Sequence, residues 1–455
     1  MNYRRLRSQL RGQELLALLI FLISDLAWPI KSRPDSINRP KCLYADRATI
    51  PTMKLVFVLL LAANCSCAQS APKAATLPIT LDHNRIIIDV HLPLPDGSTK
   101  RVRAWVDNGN PDLYVTENVT KLMGLEPAGE IEEATGAKLR IARPPKSIIV
   151  GGMSVSLAAI KAARVVAAGE SVAPGSSAQI NFPSPLLRHY DVLINYPDRE
   201  FSIAEPGTLQ FRGVHAKVLI NPDNALIQVP SKIDGQSHNL ALDIGASVGF
   251  LSADLIETLE HAHPTWPHMS GAVGIANMWG SEDEPRWQLL RLAHMQYGPV
   301  FLTDVVVASF DAKAMDWFEK RAAVKTAGLI AANALLNYRI GIDYSHGEVY
   351  FDLGTTFKAP DMDVIGLILR PETDGRYTVL GVAEYAGKPS VPDVQKGDVL
   401  ISVDGIRASG GTMGQVWSSL QGSPGKVRTL TLLRAGKQFE VKAKVEHFLP
   451  AANSP

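Results

Sequence analysis

One short pattern occurs twice in this chain, and each copy ends in an Asp-x-Gly turn. Ala104-Trp105-Val106-Asp107-Asn108-Gly109 has its counterpart in Leu240-Ala241-Leu242-Asp243-Ile244-Gly245. Downstream, Leu187 to Tyr196 matches Leu335 to Tyr344. Both read Leu-x-x-Tyr-x-Φ-x-Φ-[Asn/Asp]-Tyr, and each leads into a further strand, Glu200 to Ile203 or Glu348 to Phe351. The aspartates are offset by 136 residues (107 to 243) and the closing tyrosines by 148 (196 to 344). A duplication with a modest insertion in the second copy accounts for both offsets. Residues 77–205 and 215–355 are therefore read as two copies of one lobe. Short apolar runs split by Pro95-Asp96-Gly97 and by Asp107 to Pro111 make that lobe β-rich. Helical periodicity is brief, at Ala253 to Leu259 and Ala312 to Val324.

A length of 455 residues leaves room for a third domain, and the character of the chain changes near Asp361. Residues 362–446 carry short strands and one helix candidate, Gly411 to Leu420. The 46 basic and 45 acidic residues nearly balance, without the basic excess or stripe expected of a nucleic-acid binder. Charged residues at 20% and hydrophobic residues at 46% argue against a disordered or many-spanning chain.

All three cysteines, Cys42, Cys65 and Cys67, lie within the first 67 residues. Met53-Lys54, the apolar run Leu55 to Ala63 and the small residues Ser66-Cys67-Ala68 have the layout of a secretory signal over 53–68. Residues 1–52 then read as a mis-called start. The rival h-region is Leu15 to Ile23, behind Arg4-Arg5-Arg7-Arg11. On either reading the chain is exported, and nothing after the signal is long and apolar enough for a permanent span. The part from Gln69 onward holds no cysteine, hence no thiol nucleophile and no disulfide, which fits a bacterial periplasm or secretion.

Paired Asp-x-Gly turns supply what an acid–base dyad needs. Two carboxylates a few ångström apart cannot both ionise, so they share a proton. One then draws a proton from water while the other hydrogen-bonds a scissile carbonyl. Glycine after each acid permits the tight turn that brings the loops together.

The second copy resembles the pepsin/retropepsin aspartic peptidases, whose signature is Asp-Thr/Ser-Gly-Ala/Ser-Ser. Asp243-Ile244-Gly245-Ala246-Ser247 matches four of those five positions, and Asp107-Asn108-Gly109-Asn110-Pro111 matches two. Gly328 to Tyr338 is similar to the family's closing segment, with Ala331 in copy two and Pro183 in copy one at its glycine. The resemblance covers roughly 77–355. It implies two retropepsin-like β-barrel lobes in a pepsin-like bilobal arrangement, with Asp107 and Asp243 catalytic and either one as acid or base. Asn108, Gly109, Ile244, Gly245 and Ser247 would form the supporting turns. The family's inter-loop hydroxyls are replaced by Asn108, whose amide can still donate, and Ile244, which cannot. A flap is expected over the cleft. Its candidate is Gly271 to Gly280, a mobile hairpin in which Gly274, Met278 and Trp279 cover a peptide.

Residues 362–446 resemble a PDZ domain of bacterial exported proteases. The matching pieces are Val364-Ile365-Gly366-Leu367, Gly387-Lys388-Pro389-Ser390 and Gln395 to Gly405. The resemblance implies a peptide-binding site at Ile365, Gly366, Leu367 and Ile368. Backbone N–H groups there would hold a C-terminal carboxylate, and the following strand would pair with the peptide until Pro371 stops it.

Other signals are weaker. His261, His263 and His268 read as ordinary loop histidines rather than a metal site, and Glu130, Glu132 and Glu133 as a solvated face. Gly151-Gly152 is a turn, not a phosphate loop. The expectation is an exported, mostly-β aspartic endopeptidase that needs no cofactor, takes polypeptide substrates or C-terminal peptides and binds no nucleic acid. Two rivals stay open. One is a peptide-binding protein that keeps the cleft and has lost turnover. The other is that two copies of another small β-barrel only mimic the motif, in which case the two carboxylates would lie far apart.

Overall fold

Alternating burial along short strands builds most of the chain. The computed structural model describes residues 72–132, 138–354 and 362–452, all within one compact unit. The signal-peptide reading of 53–68 lies outside them. The described residues are mostly β, and none of their helices is long and apolar enough to cross a membrane.

In the first repeat, strand β1 (Arg85–Pro93) pairs antiparallel with β2 (Thr99–Asp107), which ends on Asp107. The chain returns through β3 (Leu113–Thr116). Much later β4 (Ile180–Pro183) inserts between the two, parallel to β2, with Pro183 opposite Asp107. The second repeat builds the same interlock. There β7 (Ile227–Ile233) pairs with β8 (Gln236–Asp243), and β9 (Gly249–Ser252) follows. Strand β12 (Gly328–Ala331) then slots in parallel to β8, with Ala331 opposite Asp243. Pro183 and Ala331, the two departures at the closing segment, thus hold equivalent places.

The repeats differ in closure. In the second, the long hairpin β10 (Gln288–Tyr297) and β11 (Val300–Phe310) bridges from β9 back to β7, through Ser231 opposite Tyr297 and Lys232 opposite Gln296. Six strands thereby form a closed barrel. The expectation of two barrels is corrected at the first repeat, whose ten-stranded sheet stays open. Its counterpart of β10 is broken into Lys138–Ala142, which pairs with Ala163–Val166, and Ser147–Val150, which pairs with β1. Pro144-Pro145 lies between these pieces, and proline has no N–H to continue a ladder.

A six-stranded sheet joins the two repeats. Its centre is β5 (Asp191–Asn195) against β13 (Tyr338–Asp343), antiparallel, with Leu193 opposite Gly341. These are equivalent positions in the two sequence copies, so a pseudo-two-fold axis passes between them. Flanking strands follow the same symmetry: β6 (Glu200–Ala204) beside β5, and β14 (Glu348–Leu353) beside β13.

Residues 362–452 form a five-strand path running β15 (Leu367–Pro371), β16 (Tyr377–Val382), β17 (Val399–Val403), β18 (Val427–Arg434) and β19 (Lys437–Lys444), with β15 at one edge. A helix, Met413–Leu420, starts from a capping box made by Thr412 and Gln415. The two other helices expected from periodicity are present as Ala253–Ala262 and Ala312–Glu319, the latter ending before Val324. One apolar core cluster takes residues from both the second lobe (Ala272, Ile275, Met278) and the C-terminal sheet (Leu367, Leu369, Met413).

Candidate functional site

The interlocked strands bring the two Asp-x-Gly turns face to face. A Cβ placed on Gly109 would lie 2.1 Å from Asp243 Oδ2, and one on Gly245 would lie 2.3 Å from Asp107 Oδ1. Each carboxylate therefore rests against the glycine of the opposite turn, which only a residue without a side chain allows. The turns are braced alike: Ser184 N donates to Asn110 O at 3.0 Å, and Ala332 N to Ala246 O at 3.3 Å.

Asn108 locks the two turns together. Its Nδ2 donates to Leu242 O at 2.9 Å, and its Oδ1 accepts from Ile244 N at 2.8 Å. Both bonds cross between the repeats and are buried. One amide thus serves as donor and acceptor, so no polar side chain is needed opposite it. Ile244 contributes its backbone N–H and buries its side chain completely. Replacing Asn108 by Ala would strand Leu242 O and Ile244 N without partners. The expected cost is about 2–4 kcal/mol, read as a fall in the urea unfolding midpoint. A midpoint equal to that of the parent would show that these bonds contribute nothing.

The two acids sit in unequal environments. Asp243 Oδ1 accepts from Gly245 N at 2.9 Å and Ala246 N at 3.0 Å, and the residue keeps part of its surface open. Asp107 is 2% exposed, and its Oδ2 has no hydrogen-bond partner. Burial, then the neighbouring Asp243 charge, pushes Asp107 well above the usual carboxylate range. Burial also raises Asp243, to about 6, against the pull of its two backbone N–H bonds. The pair holds one proton near neutrality. The two carboxyls titrate as a pair, and the poorer solvation of Asp107 draws the proton towards it.

A cavity of about 220 Å³ lies over the pair. Trp105, Met278, Trp279, Phe310, Trp317 and Phe318 line it, together with Arg85 and both acids. Trp105 Nε1 donates to Gly245 O at 3.2 Å, and Trp279 stacks on Phe250. Ser247, the last residue of the motif, donates its Oγ hydrogen to His83 O and so ties the second turn to the first repeat.

Comparison with known proteins found no family model that matches the chain and no curated protein with significant similarity.

The flap expectation needs correcting in form. His268–Ser270 pairs antiparallel with Gln288–Leu290 of β10, so residues 271–287 are the loop of that short hairpin, and within the loop the chain makes two 3-10 turns, Gly274–Ala276 and Glu284–Arg286, rather than continued strands. Gly274 and Met278 are buried, while Trp279 is 38% exposed and reaches the cavity mouth. The cause is tertiary, since the segment packs under the C-terminal sheet. Ile365, Gly366, Leu367 and Ile368 lie together at the entry to β15. The three apolar side chains are buried, and a Cβ on Gly366 would meet Ser390 Oγ at 2.3 Å. His263 Nε2 sits 3.0 Å from Asp234, apart from His261, which faces Glu257 O.

Three further residues went unseen in the sequence. Arg85 is fully buried beside the cavity, donating from Nη1 to Pro174 O at 2.8 Å. Glu284 is fully buried and accepts from Trp279 N at 2.7 Å and Gly280 N at 2.9 Å. Burial raises its carboxyl to about 7. Asn277 bridges Glu284 and the C-terminal sheet. Glu284 follows Glu282 and Asp283, which makes it look like part of an exposed acidic run.

Proposed function

We propose that this protein is an exported aspartic-type endopeptidase. In this reading the lobes are retropepsin-like halves of a pepsin-like whole, Asp107 and Asp243 are the catalytic pair, and a PDZ-like C-terminal domain positions polypeptide substrate. The observation that carries the reading is the reciprocal packing of each carboxylate on the other turn's glycine, about a pseudo-two-fold axis, beneath an aromatic-lined cavity.

Chemistry follows from the unequal acids. Asp243, ionised, takes a proton from a water held between the carboxyl groups, and the resulting hydroxyl attacks the scissile carbonyl carbon. Asp107 donates its proton to the carbonyl oxygen, giving a neutral tetrahedral diol. That diol collapses as a proton passes to the leaving amine. Peptide-binding residues and the cavity wall hold the bond in line.

The pH dependence has a definite sign. Below about 6 Asp243 protonates and the base is lost, so cleavage falls with a limb near pH 6. Above neutrality cleavage persists until Asp107 releases its proton. The test is cleavage of an unfolded protein across pH 3 to 8, beside an Asp243→Asn chain. Activity greatest near pH 3 would contradict this assignment of the acids.

A second reading has one observation in its favour. The cavity of about 220 Å³ is smaller than the usual range for a ligand pocket, which leaves little room over the acids for turnover of a peptide. A peptide-binding protein without turnover shares that feature. Absence of cleavage at every pH, from chain shown to be folded, would select it.

A further inference from the structure

Strand β15 (Leu367–Pro371) ends the C-terminal sheet, and among the described residues no strand lies along its outer edge. Such an edge offers backbone N–H and C=O groups to another chain. Here a single side chain takes the offer. Asn277 Nδ2 donates to Leu369 O at 2.9 Å, and Asn277 Oδ1 accepts from Leu369 N at 2.9 Å. These are the two bonds that a residue of a neighbouring strand would make. Pro371 has no N–H, and that of Leu367 is held by Ile365 O at 2.7 Å. Leu369 is therefore where a strand would be accepted.

The plug is one residue of a loop, not a strand. Gly271, Gly274 and Gly280 turn that loop with φ of +99°, +57° and +67°. Beside it, the hairpin tip Asp82–Arg85 rests on helix Met413–Leu420. Asp82 Oδ1 accepts from Thr412 Oγ1 and Gly414 N, both at 2.8 Å, and His83 meets Trp417 edge-on. Yet Asp82 Oδ2, Arg85 Nη2 and Trp417 Nε1 are buried without hydrogen-bond partners. A permanent core satisfies its polar groups. Opening the junction returns these groups to water, which offsets part of the cost of parting it.

We infer that Asn277 is a built-in plug of the β15 edge: an extended polypeptide segment, which the PDZ-like reading already puts along that strand, and Asn277 compete for Leu369. A peptide residue presents an N–H and a C=O in place of the amide, and its neighbours lie along the buried apolar residues Leu367, Met413 and Val416. Met278 and Trp279 belong to the displaced loop and also line the cavity beside Asp243. Filling the edge thus releases the cover of the cleft. That last consequence rests on the peptidase reading, while the competition itself does not.

The experiment uses the Asp243→Asn chain, so that bound peptide is not cut. The chain is mixed with a synthetic pool of randomised octapeptides, and retained peptide is quantified by mass spectrometry after gel filtration. Adding Asn277→Ala is expected to raise retention at least ~10-fold, and adding Leu369→Pro as well, which deletes the N–H, to cancel the gain. Hydrogen exchange supplies the second readout. Asn277→Ala speeds exchange at Leu369, Trp279 and Gly280. Loading with peptide protects Leu369 again and leaves the other two fast. Equal retention with and without Asn277, or a gain that survives Leu369→Pro, overturns the inference. If Leu369→Pro does not fold, exchange decides alone, and a Leu369 amide no faster in Asn277→Ala overturns it. Retention as expected from a chain whose parent cleaves nothing would keep the recognition surface and discard the peptidase.

Discussion

Asp243→Asn is expected to lower cleavage of an unfolded polypeptide at pH 7 by ~10³-fold or more, the scale set by losing a positioned general base. Asparagine keeps an oxygen for Gly245 N and Ala246 N, so the turn survives while the base does not. The loss cannot be ascribed to unfolding, because the sign of the stability effect runs the other way. Burial raises Asp243 from an ordinary value of 3.8 to about 6 in the folded chain. Between those values the native state holds more protons than the unfolded state, so stability falls as pH rises through the window. At pH 7 the ionised carboxylate is a burden on the fold that asparagine removes. The thermal midpoint at pH 7 should therefore be unchanged or higher. Cleavage that persists at the parent rate would end the dyad assignment. Cleavage lost together with a lowered midpoint would make the turn, rather than the base, responsible.

What the sequence made legible is the part encoded twice. Two Asp-x-Gly turns and two Leu-x-x-Tyr strands located the repeats, and the pairing of Leu193 with Gly341 follows their symmetry residue for residue. Closure of each lobe was not legible in the same way. Pro144-Pro145 stood in view, but its effect depends on which strand it interrupts, and only the pairing of Ser147–Val150 with β1 makes that plain. Asn108 was readable as a donor. Its acceptor role was not, since the partner is the backbone N–H of Ile244 and any residue but proline supplies one.

The remaining blind spots lie at contacts between segments far apart in the chain. Gly271 to Gly280 has a hairpin's glycines, yet it folds into a 3-10 turn because a domain nearly a hundred residues later packs over it and Asn277 bonds Leu369 (|i−j| = 92). Glu284 has the neighbours of a surface acid and the burial of a core residue. Local pattern reports what a segment prefers, and these positions are decided by what covers them.

Gly245→Ala is the substitution expected to damage both stability and cleavage while leaving every titratable group in place. The added Cβ would stand 2.3 Å from Asp107 Oδ1, 2.8 Å from its Cγ and 2.9 Å from its Cα. A carboxylate alone can rotate aside, but the Cα cannot, so the two turns must part. Forcing a methyl group into a filled space costs about 1–3 kcal/mol. Displacing one acid from the other by even a fraction of an ångström should lower cleavage ~10²-fold. Gly97→Ala is the contrast. Nothing lies within 4 Å of its Cβ, and its penalty comes only from a φ of +83° in a hairpin turn, about 1 kcal/mol with cleavage untouched. The urea midpoint and the cleavage rate of the two variants separate crowding at the axis from backbone strain elsewhere. If Gly245→Ala behaved like Gly97→Ala in both, the turns could not be packed carboxylate against glycine, and the shared proton on which the chemistry depends would lose its geometric basis.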